Sequence, residues 1–147
     1  MRIGELARRA DCPVETVRYY EKERLLPAPR RSGANYRDYG PSHLERLAFI
    51  RRCRALDMSL PEIRALIEAV ERPGADCAPV DALLDEHIGH VATRIDDLTA
   101  LKEELDAIRA HCAGGQPAKA CGIVETLSRQ SRRRGAPRRG SHVRGAK

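Results

Sequence analysis

Aromatic residues are nearly missing: the 147-residue chain has no tryptophan, one phenylalanine and four tyrosines. Large globular cores draw heavily on such side chains, so an extensive core is excluded and one small domain plus an extended element is expected. All five aromatics, Tyr19, Tyr20, Tyr36, Tyr39 and Phe49, fall within the first 50 residues, which places the folded head there. No run of 18 apolar residues occurs, and Met1-Arg2-Ile3-Gly4-Glu5 lacks the apolar stretch of a signal peptide. A soluble, cytoplasmic protein that does not enter the membrane is therefore expected. There is no phosphate-binding glycine loop, no paired catalytic carboxylates in a pocket-forming context and no nucleophile motif, so the chain does not read as an enzyme.

What is present is unevenly distributed charge. Residues 1–56 carry 13 basic and 7 acidic groups, a net +6, whereas residues 57–125 carry 6 basic and 14 acidic groups, a net −8. Residues 126–147 carry 8 basic and no acidic groups. The head suits a polyanion and the middle of the chain does not.

Ile3, Leu6, Ala7 and Ala10 recur at helical spacing before Asp11-Cys12-Pro13 interrupts, and Val14 to Lys22 continues as a second helix. Two short helices joined by a brief turn in a basic context form a helix-turn-helix, whose second helix enters a DNA major groove. From Leu25 to Tyr39 the chain is rich in Pro, Gly, Arg and Tyr, and Ser32-Gly33-Ala34-Asn35 reads as the turn of a wing between short extended arms. Gly40-Pro41 opens a third helix with Leu44, Leu47, Ala48 and Leu56 facing inward. Ser59-Leu60-Pro61-Glu62 is a capping box for a fourth, buried along Ile63, Leu66, Ile67 and Val70. These elements make a DNA-binding head over residues 1–71.

After Arg72-Pro73-Gly74, a long helix over 77–111 carries Leu84, Ile88, Val91, Ile95, Leu98, Leu101, Leu105 and Ile108, spaced by threes and fours. A narrow apolar stripe on so long a helix implies a partner helix, hence a homodimer, because the alternative, packing against its own head, would leave much of so long a stripe uncovered. Cys77 and Cys112 bracket this helix, and Cys121 follows beyond Gly114-Gly115-Gln116-Pro117. At roughly 1.5 Å per residue Cys77 and Cys112 lie about 52 Å apart, too far for one chain to close with a metal. In an antiparallel pair, Cys77 of one subunit reaches Cys112 and Cys121 of the other, giving two three-thiol sites per dimer. Thiolates select soft ions, and three suit a divalent ion better than a two-coordinate monovalent one, against copper(I). Cys12 and Cys53, in the head, read as inert buried thiols. His87 and His90 read as helix surface, and His111 as a possible fourth ligand beside Cys112. Residues 112–127 are the expected metal-binding loop and short C-terminal segment, and 128–147 a basic, disordered tail.

Ile3-Gly4-Glu5-Leu6-Ala7, Val14-Glu15-Thr16-Val17-Arg18-Tyr19-Tyr20-Glu21 and Asn35-Tyr36-Arg37-Asp38-Tyr39 resemble the MerR family of bacterial metal-responsive transcription activators, over residues 1 to about 127. Asp76-Cys77, Leu83-Leu84-Asp85-Glu86-His87-Ile88 and Cys121-Gly122-Ile123 resemble its cadmium- and lead-responsive branch. The resemblance implies a mainly α fold: a winged helix-turn-helix head, an antiparallel coiled-coil dimer and a metal loop. It implies a dimer held on an inverted repeat in double-stranded promoter DNA, which bends and untwists that DNA when metal binds, so that RNA polymerase can engage. The implied effector is cadmium or lead, with mercury or zinc open on the same sulfurs.

For DNA contact, Arg18 is the major-groove candidate, with Thr16, Tyr19, Tyr20 and Lys22 nearby on phosphates, and Tyr36 and Arg37 gripping flanking backbone from the wing. Tyr19 and Tyr39 have an equal claim to the core. The metal set is Cys77, Cys112 and Cys121. A metal buffer or chaperone would not need the basic, tyrosine-bearing head. Redox members of the family with an iron-sulfur cluster show four clustered cysteines after the long helix, where only Cys112 and Cys121 stand here.

Overall fold

The computed structural model describes residues 1–133, which form two compact units, residues 1–87 and residues 88 onward, each taken on its own below. In the first, α1 (Ile3–Arg9) and α2 (Val14–Lys22) flank a turn in which Asp11 takes a left-handed conformation, φ 51°, a state that Asp tolerates better than most residues. Pro13 caps α2, having no N–H to leave unsatisfied. Two-residue strands β1 (Arg30–Arg31) and β2 (Arg37–Asp38) pair antiparallel, Arg30 opposite Asp38 and Arg31 opposite Arg37. Asn35, φ 63°, turns the hairpin where the sequence places the wing tip.

Helices α3 (Pro41–Ala55) and α4 (Leu60–Glu71) complete the head. The capping box is present: Ser59 Oγ accepts the Glu62 N–H at 3.3 Å, and Glu62 Oε1 accepts the Ser59 N–H at 2.9 Å. Leu6, Val17, Leu25, Tyr39, Leu47, Ile50 and Ile63 are the largest fully buried side chains and join one cluster that ends at Ile67. Two expected inner-face residues are not inner. Leu56 is 64% exposed because it caps α3, where its carbonyl rather than its side chain is used, and Val70 is 59% exposed in the last turn of α4, beyond the end of the cluster.

Helix α5 (Ala78–Arg109) runs 32 residues. Leu84, Ile88, Val91, Ile95, Leu98, Leu101 and Leu105 are all exposed, while Ile108 is buried. After it a short 3-10 turn (Ala118–Ala120) leads into α6 (Gly122–Arg133). This helix corrects the expectation of a structureless tail from residue 128, since residues 128–133 continue it. The rest of that tail lies outside the described residues. No helix among the described residues is long and apolar enough to cross a membrane.

His87, expected at the helix surface, is buried instead. Its Nδ1 lies 2.7 Å from Glu62 Oε2 and its Nε2 2.8 Å from the Leu56 carbonyl oxygen. Both partners accept, so both ring nitrogens must donate and the imidazolium is the form that fits. Accordingly the Leu56 carbonyl, against the cost of burial and with help from Glu62, raises the His87 pKa. Burial pushes the Glu62 carboxyl up, but bonds from Ser59 and His87 outweigh it and hold its pKa low. The His87 contribution is full below the ordinary imidazole pKa and fades as pH rises through the raised one; the Glu62 contribution is full above the ordinary carboxyl pKa and fades as pH falls. The thermal stability lost on His87→Gln should therefore be greatest near about pH 5.5 and smaller at about pH 8. A melting-temperature difference that is flat across this interval would contradict the charged latch.

Candidate DNA interface and metal centre

Val17 and Tyr20, three residues apart, turn into the core, so the other side of α2 faces out. Arg18 and Lys22, four apart on that outer side, are exposed, Tyr19 is 48% exposed and Thr16 half-buried. Tyr20 departs from expectation: it is 7% exposed, so its ring supports α2 from beneath rather than lying along a phosphate. Burial also raises the pKa of its hydroxyl. Tyr39 is likewise core, at 1% exposed, whereas Tyr36 and Arg37 stand out from the wing.

The wing is tied to the helices at several points. The Tyr39 N–H donates to the Met1 carbonyl at 2.8 Å. The Arg2 guanidinium sits 3.8 Å above the centre of the Tyr36 ring, a cation–π pair that no spacing in the sequence signals. Glu21 Oε2 accepts the Tyr39 hydroxyl at 3.1 Å and Arg37 Nη1 at 3.4 Å. Arg2 and Glu21 are the residues that sequence reasoning left out of this surface.

The five cysteines are all free and occupy different environments. Cys53 is buried and Cys12 partly so, and burial raises both thiol pKa values, as inert thiols require. Cys77 is exposed just ahead of α5, its carbonyl accepting the Asp81 N–H at 2.9 Å. Cys112 is exposed past the other end of the helix, its N–H bonded to the Arg109 carbonyl at 3.1 Å. Gly114 and Gly115, φ 76° and 69°, then reverse the chain through a conformation costly for other residues. That reversal brings Cys121 into hydrogen-bonding contact with the Cys112 side chain. Sulfur of Cys121 accepts the backbone N–H groups of Ile123 and Val124 in the first turn of α6, and these bonds, with the Cys112 contact, pull its pKa below the ordinary thiol value. Deprotonation of Cys121 is thus eased beside a second thiol on an accessible loop, a donor pair that fits a soft metal ion.

Gly122 makes this possible. A Cβ placed there would lie 2.4 Å from the His111 carbonyl oxygen and 3.2 Å from its carbonyl carbon. Backbone cannot retreat as a side-chain tip can, so Gly122→Ala must push the start of α6 away from His111 and loosen the amides that hold Cys121. In protein whose other cysteines are serine, the pH midpoint for alkylation of Cys121 should lie below that of an ordinary exposed thiol and rise on Gly122→Ala. An unchanged midpoint would show that the close packing does not set the thiolate.

Comparison with known proteins accords with this architecture. Residues 1–70 match the MerR HTH family regulatory protein family, and residues 44–108 match the family described as MerR, DNA binding. A ZntR homolog of Haemophilus influenzae, an HTH-type transcriptional regulator, is 44% identical over 109 residues, covering 74% of this chain and 81% of that protein. The crystal structure of the regulator PbrR691 from Ralstonia metallidurans in complex with lead(II) superposes with a TM-score of 0.77 at 51% identity, covering 86% of this chain and 98% of that one. MerR of Bacillus megaterium in complex with mercury(II) gives 0.70 at 31% identity, covering 87% and 99%. With the head, the long helix and the overall extent all matched, the chain belongs to the MerR family of helix-turn-helix transcriptional regulators, which are not enzymes.

Proposed function

We propose that this protein is a metal-responsive transcriptional regulator that binds an inverted repeat in promoter DNA as a homodimer in the cytoplasm. On this reading it activates transcription by distorting that DNA, for RNA polymerase on the same promoter, when a soft divalent metal binds. The contact between the Cys112 and Cys121 side chains, on a loop that lowers the Cys121 pKa, is the observation that carries it. Cys77 of the other subunit supplies the third sulfur, giving two sites per dimer. The exposed seam of α5 supports the dimer, since seven large aliphatic side chains in water call for a partner. Cadmium or lead is the effector, an assignment supported by the lead(II) complex of PbrR691, with mercury the alternative that the mercury(II) complex of MerR supports. Zinc satisfies the same sulfurs.

Arg18 reads bases in the major groove and Thr16, Tyr19 and Lys22 hold phosphates, with Tyr20 acting from beneath. Tyr36 and Arg37 grip the flanking backbone. A promoter-reporter titrated with cadmium, lead, mercury and zinc, repeated for Cys77→Ser, Cys112→Ser and Cys121→Ser, tests the metal centre. Each substitution should abolish induction while operator binding persists. A mixed dimer of Cys77→Ser and Cys112→Ser subunits should keep one intact site and respond partially; silence would point to a site within one chain. For the wing, Arg37→Ala should weaken operator binding and make its logarithmic salt dependence shallower by roughly 2 per dimer, one phosphate contact being lost per subunit. Retention of the full salt slope would remove Arg37 from the interface.

A further inference from the structure

Glu21 is out of place by charge. It lies on α2 beside the half-exposed Arg37 of the wing, on a surface read above as meeting phosphates, where a carboxylate by itself repels. Its side chain is largely buried, at 16% exposed, and it serves two wing residues at once. The Tyr39 hydroxyl donates to it from the core; burial, then the Glu21 bond, raise that hydroxyl's pKa and keep it a donor. Arg37 reaches the same oxygen from the outside.

The wing needs such a tie. Its strands are two residues each, and a hairpin of that size has little stability of its own. Its position relative to α2 must come from tertiary contacts, and Glu21 joins α2 to the wing strand directly. We propose that Glu21 is a positioning residue for DNA binding: it fixes the wing relative to the recognition helix and aims the Arg37 guanidinium, so that both engage one stretch of duplex in register. The geometry is fixed before DNA arrives, which lowers the ordering cost of the wing contact. This rests on the reading that Arg18 and Arg37 contact DNA.

The sign of the effect separates this role from simple charge. Removing an acidic group near phosphates should tighten binding, whereas removing a positioning group should weaken it. In gel shifts or anisotropy with the full-length protein and a promoter duplex, Glu21→Ala should raise Kd roughly five- to tenfold. In the Arg37→Ala background the same change should cost less than about twofold, because the group it aims is gone. Glu21→Gln, which keeps an oxygen for the Tyr39 hydroxyl but loses the charge that holds Arg37, should fall between. Hydroxyl-radical footprints should lose protection of the flanking backbone and keep the central half-site. Binding by Glu21→Ala at or tighter than wild type, or equal losses with and without Arg37, would overturn the proposal. If Glu21→Ala does not fold, as circular dichroism will tell, Glu21→Gln in the same cycle decides on the same criteria. An Arg37→Ala variant that binds normally would instead refute the underlying placement of the wing on DNA.

Discussion

The exposure of one stripe of aliphatic side chains along α5 is the constraint on which the rest of the proposed reading depends. Leu84, Ile88, Val91, Ile95, Leu98, Leu101 and Leu105 stand in water on a single chain. Burying a large aliphatic side chain is worth roughly 1.5–3 kcal/mol, and a whole domain is stable by only about 5–15 kcal/mol. Leaving seven unburied would therefore forfeit an amount comparable with the stability of a complete small domain. On the proposed reading a second copy covers the seam. Dimerisation is then the condition for the helix to exist at full length, and the head gains its two-fold match to an inverted repeat as a consequence.

The cysteines show how one residue type is given different chemistry by its surroundings. Cys53 and Cys12 sit where low polarity disfavours the thiolate, and their thiols are held in the protonated form. Cys121 sits where two amides of a helix's first turn meet its sulfur, and its pKa is lowered. The difference is made by backbone: two left-handed glycines reverse the chain, and a third, Gly122, allows the close pass against His111. A loop this short can set thiol chemistry because its geometry is over-determined rather than because its residues are unusual.

The head illustrates the same economy with charge. Glu62 closes the capping box of α4 and also receives His87, so one carboxylate starts a helix and holds the imidazolium of the next element. Glu21 likewise serves both the buried Tyr39 and the exposed Arg37. In each case a charged group that looks like surface by composition is a tie between elements. Periodicity places a residue on a face but does not say what arrives opposite it, which is why His87 was expected at the surface and Tyr20 on DNA.

By itself the sequence determined the order and kind of the elements as far as α5 but not α6, because helical spacing, the Ser59–Glu62 cap, the Pro and Gly breaks and the wing turn are all local. It also placed Cys77 before and Cys112 after one long helical segment, Ala78–Arg109. Only the tertiary structure decided which of those residues are accessible. The burial of Tyr20 and His87, the exposure of Leu56 and Val70, the stacking of Arg2 on Tyr36 and the joining of Glu21 to the wing arise between residues distant in sequence. Such contacts depend on how surfaces meet in space, and a one-dimensional pattern records the surfaces without the meeting.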